Sequence, residues 1–135
     1  MTNRKLLDAA IREDDFLAQV IEAAHLYKWK AVHFRKAMIR RATSGGKAKW
    51  VTPVQADGAG WPDLVLLHPE RGQLLVAECK SEKGRVTPAQ ERWLEAFGGL
   101  ANCWAFVWKP SMWDSIVAVL KGDNVGNLAQ GKDEA

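Results

Sequence analysis

No apolar run in this chain approaches the length of a membrane span, so an integral membrane protein is not expected. The opening "MTNRKLLDAAIREDD" lacks the long apolar centre and small-residue cleavage site of a secretory leader, so a cytoplasmic, intracellular protein is expected. Cysteine is scarce. Cys79 and Cys103 both fall inside predicted strands among apolar neighbours, which points to buried, reduced thiols rather than to a disulfide or a nucleophile. No Cys/His spacing suggests zinc, and His25 follows its helix stripe too loosely to be a ligand. "TSGGKAKW" contains Gly and Lys but lacks the spacing of a phosphate-binding P-loop. Neither an internal repeat nor a domain boundary breaks the chain. The most informative absence is of acid, because no Asp or Glu occurs between Glu22 and Asp57.

That interval carries Lys28, Lys30, Arg35, Lys36, Arg40, Arg41, Lys47 and Lys49, with Trp29, His33 and Trp50 interleaved. The pattern reads as an electrostatic footprint for nucleic acid, the alternative being a solvated basic face. The net charge of the whole chain is only +3, so distribution says more than the sum. With 135 residues, 47% hydrophobic and 26% charged, the chain suits one soluble domain with a sizeable core.

Periodicity then orders the elements. Residues 4–27 are predicted as one amphipathic helix with Phe16, Leu17, Val20, Ile21 and Ala24 on one stripe. "KAVHFR" from Lys30 reads as a strand, and the basic segment after it as irregular or partly extended. "GWPDLVLLHPERGQLLVAECK" reads as two apolar strands joined by a turn from His68 to Gly72. Thr87 and Pro88 open a helix that Gly98 and Gly99 end; "NCWAFVW" is a buried strand; Ser111 caps a last helix through Leu120. The order is α, β, β, β, α, β, α, an α/β fold with a mixed sheet flanked by helices. One domain over 1–121 is followed by a polar tail over 122–135, expected to be disordered.

Charges at the ends of the central hairpin need a reason. Side chains alternate along a strand, so Glu78 and Lys80 share a face, roughly 7 Å apart, and Asp63 stands at the start of the neighbouring strand. Two carboxylates and an ammonium thus converge at one sheet end. That arrangement is either a structural ion pair or a place where a hard divalent cation relieves the repulsion of two acids beside a water-orienting lysine. Glu13 falls on the core-facing stripe of the first helix: it is exposed by fraying, or it points at the same sheet end. Gln90, three after Thr87, completes a capping box. Trp93, Trp104 and Trp108 are core by periodicity. Trp50, Trp61 and Trp113 are core, nucleobase platforms or a subunit interface.

Glu13 with Phe16, "GWPDLVLL", "AECK" and "TPAQERWL", in this order and spacing from about Glu13 to Leu120, resemble the VRR-NUC family of the PD-(D/E)XK nuclease superfamily. The resemblance implies a restriction-endonuclease-like αβββαβ core, phosphodiester hydrolysis, and Mg²⁺ or Mn²⁺ as cofactor. It implies Asp63 and Glu78 as metal-binding acids, the Cys79 carbonyl as a backbone ligand, Glu13 as the helix acid, Lys80 as the water-orienting lysine and Gln90 as the glutamine of a Q-x-x-W motif. "KWVTPVQADGAGW" departs from the serine- and arginine-rich loop of the family pattern. Similarity to Holliday-junction resolvases of the same superfamily implies branched DNA as substrate, a homodimer, and a bacterial or phage-type setting. Action on flap, single-stranded or linear DNA, or DNA binding without catalysis, are the competing expectations.

Overall fold

The computed structural model of the chain describes residues 3–34, 37–40, 48–51 and 56–123. Its elements are α1 (Asn3–Ala10), α2 (Glu13–Leu26), β1 (Lys30–His33), β2 (Ala37–Arg40), β3 (Ala48–Val51), β4 (Leu64–His68), β5 (Gln73–Cys79), α3 (Pro88–Gly98), β6 (Cys103–Trp108), a 3-10 turn (Pro110–Met112) and α4 (Trp113–Lys121). A mixed four-stranded sheet has the order β1-β4-β5-β6, while β2 and β3 pair apart from it. β1, β4 and β5 are successively antiparallel, and β6 joins β5 in parallel through the α3 crossover. Taken along the chain, α2, β1, β4, β5, α3 and β6 form the expected αβββαβ core, with β2 and β3 inserted between its first two strands. No helix among the described residues is long and apolar enough to cross a membrane.

The core lies on one face of the sheet. Phe16, Val20 and Ala24 of α2 and Ile116, Val119 and Leu120 of α4 pack there against Leu64, Leu66, Leu75, Ala77, Cys79 and Trp108. This period of two along β4 and β5, met by a 3.6-residue stripe on α2, is what holds the register, because a one-residue slip would expose every one of those side chains. Val76 and Glu78 point to the opposite face, where α3 packs on β5 and β6.

Several expectations are corrected. The single helix over 4–27 is two helices. Arg12 is extended at φ −73° and ψ 151°, Glu13, Asp14 and Asp15 fill a fresh first turn, and Ile11 packs on the core. Three acids suit a helix start, where backbone N–H groups are unpaired, better than a helix interior. Ser111 does not cap α4: it lies in the 3-10 turn, and its backbone N–H donates to Glu82 Oε1 at 3.0 Å. The basic segment is partly extended, the second of its two expected alternatives, with β2 and β3 paired antiparallel. Trp29, read as an aromatic of the basic footprint, is core, only 2% exposed, with Nε1 donating to the Leu120 carbonyl at 2.8 Å. The turn after β4 begins one residue later than expected, because His68 is the last residue of the strand and is buried. Its Nδ1 accepts from the Arg71 backbone N–H, and its Nε2 faces the Tyr27 carbonyl at 3.2 Å. The expected tail beyond Asp123 lies outside the described residues.

Candidate active site

The register of the central hairpin decides which charges meet. Leu64 pairs with Ala77, so the next positions outward, Asp63 and Glu78, face each other where β4 begins and β5 ends. Their contacts cross. The Asp63 backbone N–H donates to Glu78 Oε1 at 3.1 Å, and the Cys79 N–H donates to Asp63 Oδ1 at 3.2 Å. Lys80 follows directly. Its Nζ stands 3.6 Å from Glu78 Oε2, with only 9% and 2% of the two side chains exposed. The buried ammonium therefore pairs with Glu78 rather than with Asp63.

Asp63 is left with the worse electrostatics. Burial, and then the charge of Glu78, push its carboxyl from 3.8 up to about 8; the Cys79 N–H and the charge of Lys80 oppose the rise, and the charge of Glu13 adds to it. Glu13 thus faces this end of the sheet from the first turn of α2 and is half-buried there. Burial first, and then the same acids, raise the Cys79 thiol well above its ordinary value, so the thiol stays protonated and is no nucleophile. Cys103 is likewise buried and unpaired in a disulfide.

The loop that delivers Asp63 is fixed by α3. Gly60 has φ +85°, and a Cβ there would lie 2.5 Å from the Ala89 carbonyl carbon, so only glycine permits this approach. Trp93 Nε1 donates to the Ala59 carbonyl at 3.0 Å. Trp61 packs edge-on against Trp93, Phe97 and Phe34, with centroids 5.0, 5.3 and 6.0 Å apart. Phe34 closes the circuit, its backbone N–H donating to the Asp63 carbonyl at 2.9 Å. Sequence reasoning missed this clamp. Its one signal was the i, i+4 pair of Trp93 and Phe97 beside the glycine-rich approach to Trp61.

Gln90 and Thr87 form the expected capping box: Gln90 Oε1 accepts from the Thr87 N–H at 2.8 Å, and Thr87 Oγ1 from the Gln90 N–H at 3.2 Å. Of the expected nucleic-acid contacts, Lys28 and Lys30 stand at the end of the sheet opposite the acids, since Lys30 pairs with Leu67 whereas His33 pairs with Leu64. The rise along β1 separates them by about 13 Å of strand. Arg40 and Lys49 lie in β2 and β3; Arg35, Lys36, Arg41 and Lys47 lie outside the described residues.

Among the described residues, no group of three or more His, Cys, Asp or Glu side chains is arranged to hold a metal ion. The donor set still fits a hard divalent cation, which is commonly bound by one or two carboxylates with water completing its shell. Two facing carboxylates, one of them destabilised as an anion by burial and by the other, are what such an ion relieves.

Comparison with known proteins adds one match. A family model described as VRR-NUC domain covers residues 4–109. No curated protein and no solved structure matches the chain.

Proposed function

The chain belongs to the VRR-NUC family, a nuclease domain of the restriction-endonuclease-like fold, and from that premise we propose a metal-dependent endonuclease that hydrolyses phosphodiester bonds in branched, Holliday-junction-like DNA. Membership carries the nuclease-type, DNA-processing function. Metal dependence and the branched substrate are the proposal's own. The observation that carries it is the crossed pair of Asp63 and Glu78 with Lys80 buried beside it, at a sheet end where Asp63 is held near 8.

Asp63, Glu78 and the Cys79 carbonyl would hold Mg²⁺ or Mn²⁺, with Glu13 as a further acid facing the site. Such an ion supplies charge neutralisation for the phosphoryl transition state and a more acidic water. The residues do the rest. The Lys80 ammonium has three N–H donors and, paired with Glu78 by charge at 3.6 Å, would use them to orient a water and contact a phosphate oxygen. Gln90, held in its capping box, fixes the start of α3 and with it the loop of Asp63. Arg35, Lys36, Arg40, Arg41, Lys47 and Lys49 grip phosphates in the same proposal, and a homodimer sets two such sites against the two-fold symmetry of a junction.

Labelled junction, flap, splayed and linear DNAs incubated with Mg²⁺ or with chelator test it. The parent cuts the junction best and only with metal, and Glu78→Gln abolishes cutting. Metal-independent cutting, or full activity in Glu78→Gln, refutes the assignment, and a preference for flap or linear DNA refutes the branched substrate alone.

A further inference from the structure

The turn that follows Lys80 folds against the stem of that lysine. The Gly84 N–H donates to the Ser81 carbonyl at 2.9 Å, closing a four-residue turn, Ser81 to Gly84. A Cβ on Gly84 would lie 3.0 Å from Lys80 Cβ, so the turn folds back directly over the buried ammonium's stem. Its two central residues are Glu82 and Lys83. Glu82 is turned away, its Oε1 accepting from the Ser111 N–H at 3.0 Å, and the hydrogen bonds of Ser111 hold its carboxyl below the ordinary range. The same carboxylate faces Lys109, which follows β6 at this end of the sheet, and offsets that charge. Lys83 and Arg85 remain. Both are exposed, and neither has an ion-pair partner among the described residues.

Two exposed cations therefore stand on the segment that follows Lys80 and packs on its stem, while the one acid of the turn is held against the 3-10 turn. Lys28 and Lys30 have another explanation. They follow the C-terminal end of α2, where cations complement the helix dipole, and they stand at the far end of β1 from the acids.

We propose that Lys83 and Arg85 form the phosphate-binding ledge that holds the DNA strand at the Asp63–Glu78–Lys80 site, and that Lys28 and Lys30 lie off the DNA path. This rests on the nuclease reading above and extends it to residues outside the acid-free basic segment. Arg85 grips a phosphate through its planar fork and Lys83 as a point charge, one contact from within the turn and one from just after it.

The test is fluorescence anisotropy of a labelled four-way junction, with Ca²⁺ in place of Mg²⁺ so that binding is read, across a salt series. Lys83→Gln/Arg85→Gln is compared with Lys28→Gln/Lys30→Gln, which removes the same charge. Each lost phosphate contact lowers the salt slope by about 0.9, so the first double variant loses about 1.8 in slope and binds roughly 30-fold more weakly at 0.15 M salt. The second changes binding less than about threefold. Both variants alter exposed side chains, and thermal melts within 2 °C of the parent, taken as about the resolution of such a melt, confirm that they fold. Equal losses in the two variants, or an unchanged slope in the first, overturn the ledge while leaving the nuclease reading intact. A parent that shows no salt-dependent DNA binding removes that reading and the ledge with it.

Discussion

Replacing Asp63 by Asn separates a metal-binding acid from one that serves folding. Burial, and then the charge of Glu78, push the folded carboxyl up from 3.8 to about 8. A group raised on folding contributes stability that is fully present below pH 4 and lost as pH climbs through 8. At pH 7 about three units of that climb have been spent, each about 1.4 kcal/mol, giving a ceiling near 4 kcal/mol. Asn removes the titration but keeps an Oδ1 to accept the Cys79 N–H. In chelator the variant should therefore be more stable than the parent by about 2–4 kcal/mol at pH 8, roughly 10 °C in Tm, with the difference vanishing below pH 4. Mg²⁺ should then raise the parent by about 3 kcal/mol at a hundredfold excess over its Kd, and the variant far less. Differential scanning calorimetry of both proteins from pH 4 to 8, with chelator and with Mg²⁺, measures all of this. A variant that melts below the parent at pH 8 in chelator, with a parent indifferent to Mg²⁺, refutes the reasoning and makes Asp63 a structural acid.

Two further perturbations probe the support of the site. Gly60→Ala forces a side chain into a left-handed φ and against the Ala89 backbone, and should cost more than about 2 kcal/mol in a denaturant melt while weakening Mg²⁺ stabilisation. Thr87→Ala removes one half of the capping box and should cost about 1 kcal/mol in the same melt, with a smaller loss of Mg²⁺ stabilisation than Gly60→Ala.

The parts of this fold legible in sequence are those where a local rule and the tertiary structure agree. The apolar stripe of α2, the buried hairpin, and the Thr87–Gln90 box each follow from spacing alone, and the strand register brings Asp63 opposite Glu78 as alternation requires. What escaped depends on contacts far apart in sequence. Nothing local says that Trp29 will reach a carbonyl on α4, or that Lys80 will choose Glu78 over Asp63. The break at Arg12 was visible in principle, as three consecutive acids after an apolar stretch, but the stripe continues across it and hides the interruption. A charge tally also carries no direction along the sheet, so it does not tell that Lys30 stands at the end of β1 away from the acids.

The indole of Trp93, tied to the Ala59 carbonyl, and that of Trp29, tied to the Leu120 carbonyl, give the molecule two internal beacons at opposite ends of the sheet. In a nitrogen–proton correlation spectrum each contributes a side-chain resonance set by its own acceptor, without any attached label. If Asp63 takes an ion as proposed, binding there would pull on the loop that Trp93 holds, so the Trp93 signal should migrate during a Mg²⁺ titration while that of Trp29 stays still. The geometry of the loop thus offers a spectroscopic ruler for how far a disturbance at the acids travels through the protein.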